Sequence, residues 1–515
     1  MGVFAFALWL QKQFGPGYYA CNWDPQYTYL MNSASMAQGR TITHFWHPGT
    51  TVNMVGSVIV RLLYTLGDFK NLSMDKAILT QPEWFLHWMT IIYDIIKTGL
   101  LWLLGITVLN KWKSIWLAFL FQLTPLFALD VVRFGYTQVT PESFVFMVII
   151  LLLIYMVKTW DTEEIYTIAI VHGIIGGLGM ASKLIYAPLL LIPFFIISKT
   201  RLKLVYVITF IISFLILLIP VFNLKNFETS FYVFGWDIFA HKGHYGFGSN
   251  QNGWKIFTDN IAQIVRFNAL FSLLYIVIPV YLIWQRLSEN KQVDEKHKTN
   301  ILLLCLFIIE TITLFYVGKS YRDRYLTAGL TLGGLAFILL LWSAGGFKMF
   351  KSGFFVALIL VGINTAFTFG LDYLPKQLIN ESKDIDILVK TKYKNFGRVY
   401  YLNSSSVPFA FYYSRFYAEK YYDNLLNELY PDDYMVHIHD KGAIYHYTYG
   451  DTIQVGDILK KYQGKVILIG TPIDHYFDLL PELNETIHRK RIGFPVCKKA
   501  DIFNGRKITI YTISQ

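Results

Sequence analysis

The chain has 515 residues, 54% of them hydrophobic and 17% aromatic, with a formal net charge of +11. Only 16% of residues are charged, against roughly 25% in soluble domains, which excludes an ordinary soluble enzyme. The positive charge does not point to nucleic acid, because Lys and Arg cluster in short loops between apolar runs, the pattern of cytoplasmic loops. Three cysteines, Cys21, Cys305 and Cys497, are far apart and odd in number, so neither a disulfide framework nor a CxxC metal pair follows.

The first run, MGVFAFALWLQKQF at 1–14, is apolar but short, and a tilted or short first crossing is expected there. No small-residue cleavage site follows it, so it does not read as a removable signal peptide. A polar stretch comes next, WDPQYTYLMNSASMAQGRTITHFWHPGTT at 23–51. The segment VNMVGSVIVRLLYTLG at 52–67 contains Arg61 and is expected to lie in the interface as a juxtamembrane helix.

Runs near 84–108, 115–133, 142–158, 165–181, 184–198, 203–222, 262–284, 300–317, 325–343 and 352–371 follow, most of them close to the ~20 residues a bilayer needs. With the first run, about eleven spans result. The basic loops at 111–113, 158, 199–203, 286–298 and 348–351 then share one side, which is cytoplasmic. The pair 165–181 and 184–198 is decisive: read as one helix, it would flip everything downstream. The opposite side receives 67–83, LDVVRFGYTQVTPE at 129–142, the long 223–261 loop and GKSYRDRY at 318–325.

Beyond about residue 378 the chain becomes rich in Tyr, Asp, Lys and Asn. RVYYLN at 398–403, YMVHIH at 434–439, KVILIG at 465–470 and KITIYT at 507–512 read as strands, with stretches such as 471–490 as helices between them. The chain therefore divides into a membrane domain, 1–377, and a small extracytoplasmic α/β domain, 378–515.

Charged groups at membrane boundaries are costly and invite a functional reading. Asp24 precedes Pro25, which suits a helix cap, and Glu142 follows Pro141, which suits a first helical turn. Lys183 ends a small-residue segment, GGLGMASK, where a cation suits a helix C-terminus. Arg322, Asp323 and Arg324 form either an interfacial cluster or an anion site. In WDIFAHKGHYGFGSNQNGW at 236–254, His241 and His244 have helical metal-ligand spacing, but Gly243 argues against a helix. A substrate loop of His241, His244 and Tyr245 is the preferred reading. GFGSNQNG is not GxGxxG, and GLGMASK lacks the GK[ST] of a P-loop, so nucleotide binding is unsupported.

Several of these elements occur together in one family. DPQYTY, then GR, then HPGT resembles the first extracytoplasmic loop of GT-C superfamily glycosyltransferases, membrane enzymes that take sugar from a polyprenyl-phosphate carrier. VTPESFVFM at 139–147, GGLGMASKLIYAPLLLIP at 176–193 and SYRDRYLTAG at 320–329 resemble later segments of that family. The resemblance covers the membrane part and is nearest the aminoarabinose-transferase and protein O-mannosyltransferase branch. No WWD-type signature of oligosaccharyltransferases occurs in the C-terminal part.

The resemblance implies an all-α polytopic GT-C fold, with Asp24 and Glu142 as the catalytic or metal-linked carboxylates. It implies Mg or Mn as an optional cation, and His47 in the place of the family's His-Pro element. HPG stands here where the family carries HPP. The chemistry of such a transfer needs a carboxylate base, which Asp24 supplies, and positive charge for the departing phosphate, which Lys183, Arg322 and Arg324 supply beside Tyr325. The expected partners are a polyprenyl-phosphate-linked sugar and an acceptor lipid, glycan or protein, at the outer face of a plasma membrane. The alternative, a flippase or transporter of a lipid-linked glycan, would place charges near the bilayer midplane on broken helices, often in paired repeats. Here they gather at the outer ends of spans, and no repeat is visible.

Overall fold

The computed structural model describes residues 2–20, 23–43, 49–69, 71–128, 135–221, 253–287, 294–319, 323–371, 376–400, 406–415, 418, 420–437, 443–445, 447, 452–453, 455–470, 496–503 and 508–514. The described residues form two compact units. One comprises 1–10, 44–55 and 90–372, and the other comprises 11–43, 56–89 and 373–515.

The first unit is helical. Six stretches among the described residues are long and apolar enough to cross a membrane: Pro82–Trp112, Pro141–Thr159, Thr200–Val221, Leu270–Leu287, Lys298–Gly318 and Arg324–Ile363. The chain is a multi-pass membrane protein. The count of about eleven read from the sequence goes beyond this. The runs at 115–133, 165–181 and 184–198 yield only shorter apolar helices, Ile115–Phe127, Tyr166–Ser182 and Leu184–Ile196. The runs at 325–343 and 352–371 fall on two helices, Thr327–Gly345 and Phe350–Leu371, which share the one apolar stretch Arg324–Ile363. The 52–67 segment is a helix, Thr50–Leu66, also below crossing length.

Helix α1 (Tyr166–Ser182) ends where Lys183 turns extended, at φ −166° and ψ 146°. A 3-10 turn, Leu184–Leu190, follows with Pro188 inside it. Residues 165–181 and 184–198 are therefore two elements, as the sequence suggested. The glycines of α1 serve helix packing. A Cβ on Gly173 would lie 2.7 Å from Thr209 Cβ, and one on Gly177 would lie 2.6 Å from Ser213 Cβ. Both contacts are with α2 (Thr200–Leu218), so small residues let the two backbones approach.

The second unit holds a seven-stranded sheet in the order β4-β3-β2-β1-β5-β7-β6. Its strands are β1 (Gly397–Tyr400), β2 (Asp433–His437), β3 (Ala443–Tyr445), β4 (Thr452–Ile453), β5 (Val466–Gly470), β6 (Val496–Phe503) and β7 (Ile508–Ser514). β1 runs parallel to β2 and β5; the other pairs are antiparallel. The VILIG of β5 is buried throughout, as a central strand covered on both faces requires. Arg398 and Asp433 are register partners across β1 and β2 and form a two-point ion pair at 2.6 and 3.0 Å. The four strands read from the sequence correspond to β1, β2, β5 and β7. β3, β4 and β6 were not read, and the helices placed at 471–490 lie outside the described residues.

N-terminal residues belong to this unit too. Tyr422 donates to Met31 O at 3.1 Å and accepts from Ser35 Oγ at 3.1 Å. Tyr430 donates to Leu79 O at 2.8 Å. Arg40, from the Gly-Arg of the polar stretch, pairs with buried Asp75 at 2.6 Å and lies 4.3 Å from the Tyr421 ring centroid.

Candidate functional site

The site in the first unit is assembled from three chain breaks. Helix α3 (Pro141–Thr159) starts at a capped turn, where Thr140 Oγ1 accepts from Ser143 N at 3.3 Å and Pro141 occupies the first position. Pro fits there because its missing N–H has no helical partner to lose. Glu142 follows in the first turn, buried. Lys183 sits where α1 ends. Arg324 and Tyr325 sit in a 3-10 turn, Asp323–Leu326, ahead of the helix Thr327–Gly345.

These breaks bring four of the residues singled out in the sequence together. Lys183 Nζ donates to Glu142 Oε1 at 2.5 Å, and Arg324 Nε lies 3.6 Å from the same oxygen. Lys183 Nζ is 4.7 Å from the Tyr325 ring centroid, and the Arg324 guanidinium is 5.9 Å from it. Glu142 and Lys183 side chains are 6% and 3% exposed, while Arg324 is 31% exposed. Two cations against one carboxylate leave the cluster with one net positive charge, and the accessible member is a guanidinium. Glu142 Oε2 is buried with no hydrogen-bond partner among the described residues.

A cavity of about 350 Å³ adjoins the cluster through Tyr325. Its wall is mostly apolar, with Met180, Leu184, Ile185, Pro188 and Ile312 among its residues, and Thr313 and Tyr316 add polar groups. An anion held at Arg324 would thus have an apolar chamber beside it.

Asp24 lies in the first turn of helix α4 (Trp23–Ala37), which begins one residue ahead of it; its side chain lies outside the description. Tyr27, one turn further on, donates to Glu83 Oε1 at 2.6 Å, and Gly17 N donates to Glu83 Oε2 at 3.0 Å. The first Tyr of the DPQYTY motif therefore anchors its own helix. His47, His241, His244, Tyr245 and Arg322 lie outside the described residues. Gly49 has φ +58°, a left-handed value open to glycine and closed to proline, whose φ is held near −65°. That is the physical content of HPG in place of HPP.

Sequence reasoning missed Asp94 and Lys97, a fully buried pair at 2.7 Å and i,i+3 spacing inside the run at 84–108. Lys97 also donates to Gly135 O, which accepts from Ser143 Oγ at 3.0 Å, so the pair braces the entrance to α3. The signal was present, since an acid and a base three apart in an apolar run share a helix face. A divalent cation fits poorly at Glu142, because Oε1 already faces two cations. Among the described residues, no three His, Cys, Asp or Glu side chains gather to hold a metal ion.

Fold and site together define a multi-pass membrane protein with a buried cationic cluster beside an apolar chamber. Residues 72–223 match the family model of dolichyl-phosphate-mannose-protein mannosyltransferase, and the resemblance read from the sequence is met over that stretch, which holds Glu142 and Lys183. Among solved structures, the chain is similar to ArnT from Cupriavidus metallidurans bound to undecaprenyl phosphate, at 12% identity and a TM-score of 0.49, over 99% of this chain and 97% of that one. No curated protein matches the sequence.

Proposed function

We propose that the chain is a membrane glycosyltransferase that moves a monosaccharide from a polyprenyl-phosphate carrier to an acceptor hydroxyl at the outer membrane face. The observation that carries this reading is the Glu142–Lys183–Arg324 cluster beside the apolar chamber. A lipid-linked phosphate is an anion on an apolar chain, and it needs both features at adjoining places. Arg324 suits phosphate oxygens because its planar fork matches them. Lys183 has three donors, one of them directed to Glu142.

In this account Asp24 is the general base. It takes the proton from the acceptor hydroxyl as that oxygen bonds to sugar C1, while the bond from C1 to the phosphate oxygen breaks. Polyprenyl phosphate leaves with the electron pair, against Lys183 and Arg324, whose charge is worth most where water is excluded. Glu142 orients the two cations through Oε1 and offers Oε2 to a hydroxyl of the bound sugar. His47, Arg322 and the 241–248 loop, with His241, His244 and Tyr245, remain substrate contacts in this proposal, and the extracytoplasmic placement of the C-terminal sheet remains part of it.

The test is transfer by purified protein in nanodiscs from radiolabelled polyprenyl-phosphate sugars to a membrane extract, with Asp24→Asn in parallel. Label reaching an acceptor with the wild type, and a loss on the order of 10² or more in the variant, is the expected result. Undiminished transfer by Asp24→Asn would remove the base assignment.

A further inference from the structure

The cluster depends on where two backbone ends are held, and one short segment touches the supports of both. Thr51 and Val52 open the helix Thr50–Leu66, directly after Gly49. The Thr51 and Ser182 hydroxyls are 2.7 Å apart and buried. Ser182 Oγ also donates to Leu178 O at 2.7 Å. A hydroxyl has one proton, so Thr51 is the donor and Ser182 the acceptor. Ser182 is the last helical residue before Lys183, where the chain turns extended. On the other side, Val52 O accepts from Tyr93 OH at 3.2 Å. The Tyr93 ring meets Phe144 edge-on, with centroids 5.2 Å apart and planes at 87°, and Phe144 lies two residues after Glu142.

We propose that Thr51 is a positioning residue, a hydroxyl latch that fixes the end of α1 and thereby holds Lys183 against Glu142 in the geometry that receives the lipid phosphate. The Thr-Thr after HPG is then the part of the motif that sets the cation. This rests on the reading of the cluster as a phosphate site.

Thr51→Val keeps the shape and removes the donor, whereas Thr51→Ser keeps the donor. Polyprenyl phosphate binding to the purified protein is measured for wild type and both variants, together with the rate at which an amine-reactive ester labels Lys183, read by peptide mass. The latch predicts about 3- to 10-fold weaker binding for Thr51→Val, the scale of one lost hydrogen bond. It also predicts wild-type binding for Thr51→Ser and a changed Lys183 labelling rate in Thr51→Val alone. Wild-type affinity in Thr51→Val overturns the latch. If the wild type binds no polyprenyl phosphate, the phosphate reading fails separately, and unchanged Lys183 labelling in Thr51→Val then overturns the latch on its own.

Discussion

Lys183 donates to Glu142 across 2.5 Å, joining the end of one apolar helix to the beginning of another in a setting almost closed to water. Breaking such a pair leaves a buried charge uncompensated, at a cost of about 3–5 kcal/mol. Glu142→Gln, which leaves Lys183 without its counter-charge, is expected to destabilise the protein on that scale, and Lys183→Met by less, because Arg324 still faces the carboxylate at 3.6 Å. The double variant should lose clearly less than the sum. Thermal unfolding in detergent checks this, and strict additivity would show that the two groups do not interact.

Arg324 is the cation that solvent reaches. Arg324→Ala should weaken polyprenyl phosphate binding on the order of 10- to 100-fold, the range of charge-assisted hydrogen bonds. Arg324→Lys should recover part of it, since a point charge replaces the fork. Titration of the lipid phosphate against both variants gives the answer, and equal affinities would take Arg324 off the phosphate.

Much of this site was legible as separate pieces. Glu142 after a proline, Lys183 after a glycine-rich run and Arg324 ahead of a late span each stood at a predicted helix end. Their meeting was not legible, because it is set by how distant helices pack. The short strands β3 and β4 carry too few residues to show alternation, and VCKKADIF of β6 interrupts its pattern with Lys498, Lys499 and Asp501. The break at Lys183 was legible, but the run at 115–133 is longer than its α-helix, which stops at Leu123 ahead of Thr124, since composition does not register every break in the backbone.

Glu310 lies within the span Lys298–Gly318, fully buried, and neither of its carboxyl oxygens has a hydrogen-bond partner among the described residues. A polar group buried this way costs about 1–3 kcal/mol. Glu310→Met is therefore expected to raise the unfolding temperature. A lower unfolding temperature would show that the carboxyl is paired in the membrane.

Glu164 accepts from Ser198 N at 2.8 Å and Lys199 N at 3.2 Å, outside the spans. Partial burial pushes its carboxyl up, but the two N–H bonds, with the Ser198 side chain and the Lys199 charge, together outweigh that and hold it below the ordinary carboxylate value. The folded form is thus the stronger acid. Its stabilisation is present above the unfolded value and is lost as pH falls through the lower folded one. The stability gap between wild type and Glu164→Gln should be full at neutral pH and close as the pH drops below the carboxylate range. A gap that widens with acidification would contradict the assignment.

The most direct measurement of the central claim is release of free polyprenyl phosphate from a labelled polyprenyl-phosphate sugar by the purified protein, with acceptor extract present. The account predicts release coupled one-to-one to sugar on an acceptor, falling sharply in Asp24→Asn and Arg324→Ala. Binding of the donor with the carrier–sugar bond left intact, across a panel of sugars, would contradict it and favour movement of the lipid-linked glycan without bond chemistry.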